Sequence, residues 1–348
     1  MKPHLKTTSV LAAALLLTAS AASAQTVVAT QPVGYLTVNV PAGDDALLGI
    51  SLTQPSAVTG SAANVSGATF DSPTALTEDN LNNDYYVLAT SGTNAGQWSE
   101  VVDNSTSSIT TSEELLADGD TFKVIPFWTL STLFPQGGGV GASADPFNPS
   151  AVVLVNDLEA EGVNLSSSAA FFYFAGPNPQ AGWYQSGNFA ASDNLRLSPE
   201  TYITVRNNSN EALSIVNTGT VPVDVVGSEV VARGSADQDN QVVNPYPSAL
   251  TLSNSGLTQV VAAAADPFNP VDTVLLFDND ASTGQNISSS AAYFYYAGPN
   301  PAAGWYQTGS FAAGDNVEIP AAGALIIRKG SGEDEVIAWN PPVPYTID

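Results

Sequence analysis

The chain has 348 residues, 44% of them hydrophobic, with no cysteine and a single histidine; 33 acidic residues against 8 basic ones give a net charge of −25. Such a charge repels nucleic acid, anionic lipid and sulfated or carboxylated glycans, and so excludes them as partners. With no Cys, and no His after His4, there are no disulfide staples, no Ser-His-Asp or Cys-His nucleophiles, no His/Cys zinc site and no His-ligated haem.

Lys2 and Lys6, the apolar run Val10–Leu17 and Ala22-Ser23-Ala24 before Gln25 have the pattern of a secretory signal peptide. The run is too short for a membrane span, which needs about 20 apolar residues. Residues 1–24 are therefore expected to be removed near Ala24. The product would be secreted, extracellular or cell-surface, or held in the periplasm. Cleavage takes two basic residues away and leaves six against 33 acidic ones.

Beyond the signal the local code is β. Tyr35–Val40 alternates β-branched and aromatic residues and is ended by Pro41-Ala42-Gly43. Tyr85–Ala89 followed by Gly96-Gln97-Trp98 reads as another extended pair. Short helices are expected at Ser112–Ala117 and Phe127–Phe134, the latter stopped by Pro135. Gly137–Gly141 lacks the Lys-Ser/Thr of a phosphate loop and reads as a connector. Next come Phe171–Phe174, the turn-forming Gly176-Pro177-Asn178-Pro179 and Trp183-Tyr184-Gln185, a strand–loop–strand unit.

That unit recurs almost verbatim. Residues 166–187 match 288–309 at an offset of 122, differing only at Phe171/Tyr293, Phe174/Tyr296, Gln180/Ala302 and Ser186/Thr308. The offset extends outward to Thr129–Ser131 against Thr251–Ser253 and to Arg206 against Arg328. Asp145-Pro-Phe-Asn-Pro149 against Asp266-Pro-Phe-Asn-Pro270 is displaced by one. The Tyr85 and Trp98 segments carry a fainter echo. The expected architecture is all-β: tandem sandwich or barrel-like modules from an internal duplication at residues 127–226 and 227–348, with a third, diverged copy at 25–126.

Val33–Gly43, Gly96-Gln97-Trp98 and Trp128–Phe134 together resemble an uncharacterised family of secreted, β-rich bacterial proteins, frequent in verrucomicrobia-type genomes. The resemblance implies export and a β-rich body. It carries no established activity and no functional residues.

Two repeated constellations are candidate sites. Trp183-Tyr184 and Trp305-Tyr306 would form sugar-binding aromatic platforms, or else one member of each pair packs in a core, the commoner use. Strand alternation puts the two members on opposite faces. Asp145 and Asp266, with Asp278 and Asp280, are the carboxylates that would take Ca2+. The alternative for the first two is a turn in which Asp accepts from the backbone, Pro fixes φ and Phe plugs a module boundary. No cofactor is otherwise expected.

The carboxylates recurring in both copies are few (Asp145/Asp266 and Asp193/Asp315), which speaks against a duplicated acid–base site. The sequence reading is an exported, non-catalytic structural or adhesive repeat protein whose partner is itself or a neutral polysaccharide. It has neither nucleic-acid binding nor membrane insertion. Its alternatives are a carbohydrate-binding protein and, behind that, a carboxylate-based glycoside hydrolase.

Overall fold

The computed structural model describes residues 31–280 and 284–346, so the expected signal segment lies outside the described residues. What is described is almost entirely β. Helical structure amounts to Leu130–Leu133 and two single-turn 3-10 segments, and no helix is long and apolar enough to cross a membrane. The Leu130 helix is the one expected before Pro135. Thr129 caps it by accepting from the Thr132 amide, while the Thr132 hydroxyl accepts in return from the Thr129 amide. Ser112–Ala117 is instead irregular and buries Leu115 and Leu116.

Residues 58–126 form a seven-stranded, nearly closed barrel. In spatial order its strands are Val58–Ser61, Thr121–Pro126, Tyr85–Ala89, Trp98–Asn104, Ser108–Thr111, Thr69–Asp71 and Ala63–Ser66. The first and last of these are separated in sequence by Ala62 alone, so the chain bends there and brings the ends of the sheet together. Alternation sorts the side chains. Val87, Ala89, Phe122 and Val124 point into the barrel with Phe70, Val101 and Ile109. Tyr86, Leu88 and Ile125 point outward onto Phe127 and Val226, which attaches the barrel to the rest of the molecule.

Two five-stranded antiparallel sheets, with four two-stranded pairings beside them, make up that remainder. The first runs Gly182–Gln185, Ala169–Phe174, Ala151–Val155, Tyr202–Asn207 and Asp45–Gly49; the second runs Gly304–Gln307, Ala291–Tyr296, Thr273–Leu276, Ala324–Lys329 and Gln238–Val243. Their registers correspond. Phe172 faces Tyr184 as Phe294 faces Tyr306, and Arg206 faces Asp45 as Arg328 faces Asp239. Val153 with Val205 corresponds to Val274 with Ile327, so the displacement by one seen at the Asp-Pro-Phe-Asn-Pro segment continues through the next strand.

The pairing redraws the expected module boundaries. Asp45–Gly49 closes the first sheet, and Val33–Val40 pairs with Leu213–Thr220 as Ser228–Ala232 pairs with Glu335–Trp339. Residues 33–49 thus join the first sheet, through Asp45–Gly49, and a two-stranded ribbon, through Val33–Val40, and not, as the sequence suggests, the segment ending at 126. The barrel is an insertion between Gly49 and Trp128, where the second sheet has only the short link from Val243 to Leu250. Its likeness to the repeated unit stops at the hairpin of Tyr85–Ala89 with Trp98–Asn104. The strand order around that hairpin is different.

The sheets grip each other reciprocally. Asp239, 2% exposed, holds Arg328 through two hydrogen bonds of 2.7 and 2.9 Å, and also accepts from the amide of Asn164 on the first sheet's 156–168 loop. Arg328 donates onward to Asn164 Oδ1. In the opposite sense Asp45, 1% exposed, holds Arg206 at 2.8 and 2.8 Å and accepts from the amide of Asn286, to which Arg206 also donates. Asn164 and Asn286 both take positive φ, 56° and 61°, a conformation asparagine tolerates. Leu47, Tyr202, Ala324, Phe277 and Ile287 fill the seam. A Cβ on Gly49 would lie 2.2 Å from the Ala322 carbonyl oxygen, so only glycine permits this approach.

Candidate functional site

Trp183 and Trp305 are not platforms. They are 0% and 1% exposed and sit in the cores beneath the two sheets. Each lies edge-on to the tyrosine paired with it across the hairpin, at 5.8 Å from Tyr173 and 5.6 Å from Tyr295. Their amides donate to Asp193 and Asp315, which explains why those two carboxylates recur. Tyr184 and Tyr306 face the other way, as alternation requires. Their rings lie 6.4 and 6.2 Å from Phe172 and Phe294, and their hydroxyls donate to the Gln180 and Ala302 carbonyls at 2.8 Å.

The exposed aromatics are others. Phe147 and Phe268 stand 84% and 82% in solvent at the tips of the Asp-Pro-Phe-Asn-Pro loops. Each loop is an Asx turn: the Phe147 amide donates to Asp145 Oδ1 at 2.9 Å, and the Phe268 amide to Asp266 Oδ1 at 2.9 Å. The turn expected from sequence is present, but its Phe points outward where the sequence reading had it plugging a boundary. Behind each ring stands a second phenylalanine, Phe189 at 5.3 Å and Phe311 at 5.1 Å, set edge-on in turn to Phe172 and Phe294. Phe189 and Phe311 both have φ of +56°, a region costly for a bulky side chain, on the order of 1–2 kcal/mol. The same strained residue stands in both copies, holding the same ring against the same exposed partner.

The hairpins that carry these rings have no free outer edge here. Beyond Gly182–Gln185 the returning chain pairs through Gln185 N–H to Ala190 O and Ser192 N–H to Trp183 O; beyond Gly304–Gln307 it does so through Gln307 to Ala312 and Gly314 to Trp305. Strand addition at these edges would have to displace those bonds.

The proposed calcium carboxylates are not brought together. Asp145 and Asp266 serve separate turns, and Asp278 accepts from the Asp280 amide. Among the described residues no three His, Cys, Asp or Glu groups are placed to share an ion.

A feature invisible in the repeats lies where barrel and sheets meet. A cleft of about 680 Å³ is walled by Trp98, Glu100 and Glu113 of the barrel, Glu200 and the 157–161 loop of the first sheet, and Glu229 and Arg233 of the second. Burial pushes the Glu200 carboxyl up to about 7, with the neighbouring Glu229 adding to the rise; hydrogen bonds from the Trp98 indole and the Glu229 amide oppose it. Burial likewise raises Glu229, helped by Glu113. Ala322 occupies the position corresponding to Glu200, and Thr37, by strand register, that of Glu229. The acid pair therefore exists only where the barrel is.

Chemically, a carboxyl that keeps its proton near neutrality beside a second carboxyl is suited to acid–base work. It also has a consequence for stability. The folded chain retains a proton on Glu200 from the ordinary 4.5 up to about 7, whereas the unfolded chain loses it. This contribution to stability is full below pH 4.5, declines as pH rises through about 7, and is flat beyond. Glu200→Gln should flatten that part of the profile. Urea midpoints measured from pH 4.5 to 8 check this, and equal slopes in both proteins would disprove it.

No protein-family model, curated protein or solved structure matches this chain.

Proposed function

We propose that the protein is an exported, non-catalytic structural or adhesive protein that works by display. Two equivalent loops hold Phe147 and Phe268 in solvent, so that two weak contacts on one ligand add through effective concentration. The observation that carries this reading is the recurrence of an exposed Phe backed by a positive-φ Phe in both copies. Exposed large aromatics in matched positions mark contact surfaces, and strain of this kind clusters where function demands it. A neutral polysaccharide is the ligand class that suits them. It offers apolar ring faces to an aromatic, and the chain's net charge of −25 does not repel it. Self-assembly by edge pairing has less support, because the hairpin edges are occupied.

The test is retention on insoluble cellulose, chitin, xylan and β-1,3-glucan. Phe147→Ser or Phe268→Ser alone should lower apparent affinity on a retaining polymer by about a hundredfold, and the double variant should not be retained. Because both rings are exposed, all three variants should keep their unfolding free energies within about 0.5 kcal/mol of the parent. Binding by the double variant at parental strength, or no retention of the parent on any polymer, would refute the assignment.

The Glu200 and Glu229 pair favours a second reading, carboxylate-based glycoside hydrolysis in the junction cleft. It requires release of reducing ends from one of the same polymers and loss of that release in Glu200→Gln. Absence of turnover by the parent across the panel rejects it.

A further inference from the structure

The hairpin edges are occupied, but the ribbon at the start of the first copy has an open one. Val33–Val40 pairs with Leu213–Thr220 along its whole length, without a bulge. Val38, Val40 and Ile215 turn inward to the first sheet's core, which fixes the ribbon to the body by one face. On the other face Val33 and Tyr35 stand 77% and 72% in solvent. The direction of the backbone groups follows from Thr220, whose N–H and C=O both bond Thr53. Val33, opposite Thr220, therefore turns its own N–H and C=O away from the ribbon, and alternation extends this to Tyr35, Thr37 and Asn39. Among the described residues nothing bonds to those outward amides.

The duplicate ribbon shows the same edge closed. Val38 against Ile215 corresponds to Val230 against Ile337, so Tyr35 and Asn39 correspond to Gly227 and Val231. The Gly227 amide donates to the Gly96 carbonyl of the barrel at 2.8 Å. The Asn240 side chain closes Val231 on both groups, accepting from its amide at 2.7 Å and donating to its carbonyl at 3.0 Å. In the first copy Ala46 stands where Asn240 stands in the second, and alanine has nothing to donate or accept there. The usual defences of an edge are missing as well. Val33–Val40 holds no Lys, no Pro and no bulge. Neither strand of the ribbon carries a charged residue, in a chain of net charge −25.

We infer that Val33–Asn39 is a dimerisation edge, which adds antiparallel to the same strand of a second copy about a two-fold axis. With the axis at Tyr35, the two Tyr35 residues face each other, and Val33 of each copy faces Thr37 of the other. The outward N–H and C=O groups of all three then gain backbone partners, and the two ribbons become one continuous sheet. Two features favour a second copy over a foreign strand. Two acidic molecules meet with least repulsion along an uncharged strip, and the residues brought together are the aromatic and β-branched pairs that stabilise antiparallel neighbours. Pairing about a two-fold axis uses up the open edge, so assembly stops at the dimer. The inference does not depend on polysaccharide binding, and its test has no polymer present.

Cross-linking and sedimentation equilibrium of the full chain provide that test. The chain has no cysteine, so Tyr35→Cys places one thiol on each copy. Facing residues of a hydrogen-bonded antiparallel pair lie about 5.5 Å apart at Cα, within reach of a disulfide. Tyr35→Cys is expected to oxidise to a covalent dimer. Val216→Cys, exposed on the same face but one strand further from the axis, should run as a monomer after the same treatment. The parent should sediment as a reversible dimer. Tyr35→Glu sets like charges opposite each other and should raise the dissociation constant about tenfold or more. Both replaced side chains are exposed, so all three variants should keep the parent's fold. A parent that stays monomeric up to about 1 mM overturns the inference. So does a dimer that Tyr35→Glu leaves at parental strength, or one that Tyr35→Cys fails to cross-link in preference to Val216→Cys.

Discussion

Trp183→Ala and Trp305→Ala are each expected to destabilise the protein by about 3–5 kcal/mol, the range for deleting a fully buried large aromatic. The two tryptophans differ in one respect that separates packing from hydrogen bonding. The Trp183 indole N–H donates to the Phe134 carbonyl at 3.4 Å, whereas the Trp305 indole nitrogen is buried without a partner. Replacement by Phe keeps most of the apolar volume. At 183 it takes away one of the two donors to the Phe134 carbonyl, which keeps the Gly137 amide; at 305 it removes an unsatisfied donor, which offsets part of the volume lost. Trp305→Phe should therefore cost at least about 1 kcal/mol less than Trp183→Phe. Urea unfolding of the four variants measures this, and an equal cost for the two Phe variants would show that the indole environments do not differ. A loss of polysaccharide retention in Trp183→Phe with stability intact would restore the platform role that burial denies.

Asp239→Ala and Asp45→Ala form the second large expectation, about 2–4 kcal/mol each. Either change leaves an arginine, Arg328 or Arg206, without its two-pronged partner, and the Arg side chains being about a quarter exposed keeps the cost below that of a fully buried pair. The same carboxylate also anchors the opposite sheet's loop, through the amide of Asn164 or Asn286. Each substitution should therefore expose two distant segments at once. For Asp239→Ala these are residues 238–243 and 162–165; for Asp45→Ala, residues 45–49 and 284–287. Limited proteolysis that opens only the substituted strand, with the partner loop still protected, would contradict the reciprocal clamp.

Much of the β architecture was legible in local sequence. The Gly-Pro-Asn-Pro turns lie between the strand pairs expected around them, and the Leu130 helix stops at Pro135. Which of Trp183 and Tyr184 faces the core was not legible. The paired strand offers Tyr173 to one and Phe172 to the other, so both faces read as aromatic and period-two alternation cannot choose. The outward Phe147 was hidden for a related reason, since the Asx turn fixes the backbone and says nothing of what covers the ring. The place of residues 33–49 depends on pairings such as Val33 with Thr220 and Asp45 with Arg206, for which no short-range signal exists. Their counterparts were masked as well. Asp45 and Asp239 are 194 residues apart, so a search at 122 passes over them. The Glu200 and Glu229 cleft is assembled from separated stretches of the barrel and both sheets, and single carboxylates in an acidic chain do not announce such a meeting.

The barrel's position in the connection after Gly49 makes one half of the molecule a built-in reference for the other. Where the second sheet closes the same connection in a handful of residues, the first has accepted a whole guest without disturbing the strands on either side. This connection is where foreign cargo, from an epitope to a reporter enzyme, should be accommodated most readily; in its twin, where Asn244 and Tyr246 are buried, only residues 247–249 offer a second place.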